Sequence, residues 1–161
     1  MTYSVTVELS VETPEWEALD LDTLAKIACE AGSKVAGLSM ECEVSILATG
    51  DARIAELNGS FRGKDAATNV LSWPTEELSA GPGEVPNPPN DPEIGDIALS
   101  FETCAREAAD QGKTVHDHVT HLMIHGFLHL LGYDHVRDED ATVMEALEIK
   151  ALETLSIENP Y

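Results

Sequence analysis

Basic side chains are scarce in this chain: nine lysines and arginines stand against thirty aspartates and glutamates, a formal charge of −21. Such a surface repels polyanions and excludes nonspecific nucleic-acid binding through a broad basic face. It is also the composition of acid-rich proteins adapted to high salt. Cysteine is sparse too. Cys29, Cys42 and Cys104 are odd in number and far apart, which excludes a disulfide framework and a paired-cysteine metal site. Buried free thiols in a reducing cytosol are expected instead. No apolar run approaches the length of a bilayer span. The start, Met1-Thr2-Tyr3-Ser4-Val5, lacks a basic region followed by an apolar stretch. Neither a membrane partner nor a signal peptide is therefore expected, and the cytoplasm is the expected location. No internal repeat is visible. The 161 residues are read as one domain, 1–161, long enough for a real core.

What is present concentrates in one run, His125-Gly126-Phe127-Leu128-His129-Leu130-Leu131-Gly132-Tyr133-Asp134-His135. His125 and His129 lie four apart, so on a helix they share a face with Cβ atoms about 5–6 Å apart. Gly132 lets the backbone leave that helix through a left-handed residue, and the chain can return His135 to the same point. Three neutral imidazoles converging in this way suit a transition metal, most simply one Zn²⁺ per chain with a fourth position for water. The bland alternative is a chance pair of core histidines. Against it, Val115 to Leu131 is apolar nearly all round, the pattern of a buried helix. On its wheel His118, His121, His125 and His129 fall in an arc roughly 80° wide. Buried polar groups need partners, and a shared metal supplies one.

Around this helix the patterning predicts an α+β fold: a small mixed sheet of about four strands covered by helices, with the histidine helix central and buried. Tyr3, Val5, Val7 and Leu9 alternate with polar residues as a half-buried strand. Pro14 opens a helix that carries Trp16, Leu19, Leu24, Ile27, Ala28 and Ala31 until Gly32. Val44, Ile46 and Ala48 mark a second strand from near Met40. Asp51 is placed to cap a helix with Ile54, Ala55 and Leu57. Asn69 to Trp73 reads as a strand closed by Pro74, and Ile94 to Ser100 as another. Glu102–Gln111, Val115–Leu131 and Asp138–Leu155 read as helices. Residues 76–93, with Gly81, Pro82, Gly83, Pro86, Pro88, Pro89 and Pro92, read as an extended, mobile surface loop, more a tolerated insertion than a lid.

A catalytic zinc keeps three protein ligands and an open position, and brings the pKa of its water near 7. His-x3-His-x5-His, with glycine three residues after the second histidine, is also the metal frame of metzincin proteases. Those enzymes place a glutamate general base directly after the first histidine, where this chain has Gly126. A peptidase is demoted accordingly. His121, one turn before His125, and Asp134, beside His135, are candidates to orient an imidazole or a water, or to shuttle a proton. Packing alone explains either one equally well. Arg62 and Lys64 form the only tight basic pair. A guanidinium stabilises phosphoryl oxygens bidentately, so Arg62 near the zinc would make a phosphodiester-cleaving site.

The histidine run meets the signature HGxLHLxGYDH throughout and in this resembles the YbeY family of bacterial endoribonucleases. A second block, Asn58 through Phe61-Arg62-Gly63-Lys64-Asp65 and Thr68-Asn69-Val70-Leu71-Ser72-Trp73-Pro74, is similar to the family as well. So are Gly95-Asp96-Ile97 and Met144-Glu145-Ala146-Leu147-Glu148. The resemblance spans about residues 40 to 155. It implies a metal-dependent RNase specific for single strands, acting in 3′-end maturation of 16S rRNA and in ribosome quality control. It implies rRNA and small-subunit components as partners, and DNA is not expected. Zinc ligands carry over to His125, His129 and His135, and the essential arginine to Arg62, with Lys64 beside it. Arg62 and His125 are thus the expected catalytic residues, and Arg62 and Lys64 the expected substrate contacts. Two departures stand out: Trp73 replaces a usual phenylalanine at an aromatic core position, and the proline-rich loop is long. Two other readings remain open: a metallopeptidase or other zinc hydrolase with a base outside the motif, and a non-catalytic ribosome-assembly factor with a structural metal.

Overall fold

The four expected strands form: β1 (Val5–Val11), β2 (Cys42–Thr49), β3 (Val70–Pro74) and β4 (Glu93–Ser100). A computed structural model describes residues 4–63, 66–78 and 80–161, without the side chains of Phe61 and Arg62. Tyr3, expected in the first strand, lies outside the described residues. The sheet order is β1-β2-β4-β3. β1 and β4 both run parallel to β2, with Leu9 opposite Ile46 and Ile46 opposite Ile97. β3 is antiparallel to β4, pairing Leu71 with Ala98. This is the expected mixed sheet in an α+β architecture.

Helices α1 (Leu21–Val35), α2 (Asp51–Arg62), α3 (Phe101–Asp110), α4 (Val115–Leu130) and α5 (Asp138–Thr154) complete the fold. The first predicted helix is in fact two elements. Pro14–Ala18 forms a 3-10 turn, and buried Trp16 there donates its indole N–H to the Thr49 carbonyl at 2.9 Å. Helix α1 then runs past Gly32. A Cβ at Gly32 would lie 2.8 Å from Cδ1 of Phe127, so this glycine marks a close helix crossing rather than a stop. Asp51 is likewise not a cap: Gly50 is the N-cap residue. The Asp51 carboxylate instead accepts from the hydroxyls of Ser100 and Thr103. Trp73 stands half-buried beside the small cluster of Ile54, Leu71 and Ala98, outside the main core.

Helix α4 is the centre of the molecule. Thr114 caps it by accepting from the Asp117 N–H at 3.1 Å, which satisfies an otherwise orphaned donor. Val119, Met123, Ile124, Phe127 and Leu128 are wholly buried, each contributing roughly 1.5–3 kcal/mol by its removal from water. Gly126 meets the sheet: a Cβ there would lie 3.3 Å from Cδ1 of Ile97. Helix, strand and helix therefore lock α4 in place from both sides.

Candidate metal centre

The last two turns of α4 carry His125 and His129. Their Nε2 atoms stand 3.1 Å apart. The helix ends in a Schellman cap, in which the Gly132 N–H donates to the His129 carbonyl at 3.0 Å and the Tyr133 N–H to the Leu128 carbonyl at 3.2 Å. Gly132 has φ +101°, and a Cβ on it would lie 2.7 Å from the Leu78 carbonyl oxygen. Both facts call for glycine. The reversal carries His135 back until its ring centroid is 5.2 Å from those of both His125 and His129. One ring nitrogen from each of the three then lies within 4.8 Å of the others, a group that could hold a metal ion.

The donor set fits a tetrahedral ion. Zinc–nitrogen bonds of about 2.0–2.1 Å separate two ligand nitrogens by about 3.3 Å, close to the observed His125–His129 spacing. Burial, followed by the neighbouring His125 and His135, lowers the His129 pKa to about 4. At neutral pH its imidazole is therefore neutral, the form that ligates metals.

Behind His125 lies a residue that the motif reading left unassigned as part of the site. Glu148 of α5 is completely buried and accepts from His125 Nδ1 on Oε2 at 3.0 Å. Its Oε1 accepts from His121 Nε2 at 2.5 Å and from the Tyr161 hydroxyl at 2.6 Å. Burial pushes this carboxyl up, but the bonds from His121, His125 and Tyr161 outweigh it and hold the pKa down at about 2. With Nδ1 of His125 committed to the carboxylate, Nε2 is the nitrogen left to face His129 and His135. A signal for Glu148 did exist. It falls within the buried stripe Met144, Glu148, Ala151 and Leu152 of α5, and a carboxylate on such a stripe needs donors.

The other candidates divide. His121 joins the site through Glu148. Exposed Asp134 accepts from the His135 backbone N–H at 2.7 Å. His118, despite its place on the helical wheel, turns to Glu107, donating from Nε2 at 2.9 Å. Arg62 ends α2, but its side chain, like the whole of Lys64, lies outside the described residues. Beside His129 and His135 opens a groove of about 380 Å³, walled by Pro74, Glu76, Leu78 and Tyr133. The proline-rich loop forms part of that wall and is tied down. Glu76 accepts from the backbone N–H groups of Asn90 and Asp91 at 2.9 Å each. The Gly83 N–H donates to Asp140 at 2.9 Å, and Arg137 donates to the Ala80 carbonyl at 3.0 Å.

Fold and site together define an α+β protein with a metal-competent three-histidine cluster and a carboxylate bonded behind one imidazole. Comparison with known proteins makes this specific. The family described as endoribonuclease YbeY matches residues 7–156, and the chain belongs to that family. An endoribonuclease YbeY of Dinoroseobacter shibae is 55% identical over 97% of this chain and 90% of its own length. The Ruegeria pomeroyi protein of the same name is 51% identical over 98% of each. The solution structure of TM1509 from Thermotoga maritima shares the fold, with a TM-score of 0.58 at 22% identity over 94% of this chain and 92% of that one.

Proposed function

We propose that this chain is a zinc-dependent endoribonuclease specific for single strands. Its task is maturation of the 16S rRNA 3′ end and ribosome quality control in the cytoplasm, with rRNA and small-subunit components as partners. The observation that carries the reading is the convergence of His125, His129 and His135, with Glu148 fixing which nitrogen His125 presents. One Zn²⁺ held by the three imidazoles would supply a Lewis acid that makes water acidic near neutral pH. Arg62 is assigned to binding and neutralising the phosphoryl group, and Lys64 to the adjoining backbone. The groove beside His129 and His135 is where a strand without a partner would enter. Within a chain of charge −21, this local positive charge has to overcome the repulsion of the exterior, and salt in the medium screens that exterior.

Peptide hydrolysis fits less well. Glu148 is completely buried and already accepts from three donors, with a pKa held at about 2, so it is poorly suited to serve as a general base. Position 126 faces Ile97 of the sheet.

The test is incubation of the zinc-loaded protein with single-stranded RNA, duplex RNA and an unstructured peptide. Cleavage of the single strand alone is expected. Arg62→Ala should reduce the rate about 10²–10³-fold, the scale of losing a charge-stabilising donor, while keeping zinc at one per chain. His129→Ala should lose zinc by elemental analysis. Peptide cleavage without RNA cleavage would overturn the nuclease reading, and full rRNA processing by Arg62→Ala would favour a structural metal.

A further inference from the structure

Helix α5 ends as α4 does. The Ser156 N–H donates to the Glu153 carbonyl at 3.1 Å and the Ile157 N–H to the Leu152 carbonyl at 2.9 Å. Ser156 adopts the left-handed conformation at φ 59°. This second Schellman cap turns the segment after α5 back along the helix. Ile157 packs against the core, and the Tyr161 N–H donates to the Asn159 side chain at 2.8 Å. Tyr161 itself is 59% exposed. Its hydroxyl nevertheless reaches a completely buried carboxylate at 2.6 Å, and its ring meets His121 edge-on at 5.6 Å.

A half-exposed ring contributes little packing, so the placement of that one oxygen calls for another explanation. Glu148 has three donors arranged on two oxygens: His125 on Oε2, and His121 with Tyr161 on Oε1. Three fixed donors pin the carboxylate's rotation, and the pinned Oε2 in turn pins the imidazole plane of His125. We infer that Tyr161 is a positioning residue for metal retention, acting through Glu148 on His125. The inference rests on the metal-holding reading of the three histidines. Removing the hydroxyl leaves Oε1 with one protein donor and admits water, so the carboxylate and His125 gain freedom that metal binding must then remove.

The test is equilibrium binding of Co²⁺ to the full chain, read by its visible absorption and by competition with a chelator, for wild type, Tyr161→Phe, Glu148→Gln and the double variant. Outer partners of ligating histidines are worth about 10–100-fold in affinity. Glu148→Gln should fall in that range and Tyr161→Phe near its lower end, about tenfold. The double variant should bind no more weakly than Glu148→Gln alone, because the hydroxyl, which also stands 3.4 Å from His121 Nε2, reaches His125 through the carboxylate. Tyr161→Phe keeps its ring, and a cooperative melt once metal is chelated, lowered at most by the lost hydrogen bond to Glu148, shows that its weaker binding is not a failure to fold. Unchanged affinity in Tyr161→Phe, or additive losses in the double variant, would overturn the inference. Failure of wild type to bind Co²⁺ at all would instead overturn the metal reading beneath it.

Discussion

Placing the protease glutamate into this frame, by Gly126→Glu, should markedly destabilise the protein rather than create a peptidase. A Cβ at 126 would lie 3.3, 3.4 and 3.5 Å from three side-chain carbons of Ile97, itself 1% exposed. The carboxyl would follow into the interface between α4 and β4, where no described donor awaits it. Burying an unpaired carboxylate costs several kcal/mol after relaxation, and protonation relieves only part of that. A loss of about 4 kcal/mol would consume much of the 5–15 kcal/mol that holds a domain folded. At about 2–4 °C per kcal/mol for a chain of this size, the melting temperature should fall by about 8–16 °C. Gly126→Ala separates volume from charge. Its tight contact with Ile97 opposes a helix-propensity gain of about 1 kcal/mol, so it should stay within about 1 kcal/mol of wild type. Urea denaturation with chelator present reads the protein's own stability without the contribution of bound metal. A Gly126→Glu protein as stable as wild type, or one that cleaves peptides, would refute the packing argument.

Two further outcomes follow from the same geometry. In the metal-free protein, His129 has its pKa lowered to about 4 from 6.5, so the unfolded chain binds more protons between those values. Stability present above pH 6.5 should therefore decline as pH falls towards 4, by about 3 kcal/mol in full at 1.36 kcal/mol per unit. Glu148, lowered to about 2 from 4.5, adds a second loss below pH 4.5. Flat urea midpoints from pH 7 to 4 would contradict the first, and flat midpoints from pH 4.5 to 2 the second. Separately, Ser156→Gly relieves a left-handed residue at a helix cap and should stabilise by about 1 kcal/mol, seen as a higher urea midpoint at unchanged slope.

The parts of the site legible in the sequence were those whose geometry is local. His125, His129, Gly132 and His135 lie within three turns of chain, where helical period and one glycine decide the placement. The first two strands were legible for the same reason, since β1 and β2 carry alternation that needs no knowledge of their partners. Glu148 was not, because its meaning depends on how α5 packs against α4, 23 residues from His125. Tyr161 was further from reach, since only a second cap brings it back. Gly32 misled because a glycine at a helix crossing and a glycine at a helix end look alike until Phe127 is in place. Pro14 misled because Trp16 and Leu19 keep near-helical spacing through a 3-10 turn.

The cap at Gly132 also divides the three imidazoles by rigidity. His125 and His129 ride on a helix fixed from both sides, already spaced for one ion, whereas His135 is exposed on the turn beyond the cap. A cation arriving there would meet two donors already positioned by the packing of α4. Only the exposed His135 would be left to be immobilised on capture, and on release it would be the arm with room to move. For the proposed ion, exchange would be governed at His135 and strength of hold behind His125.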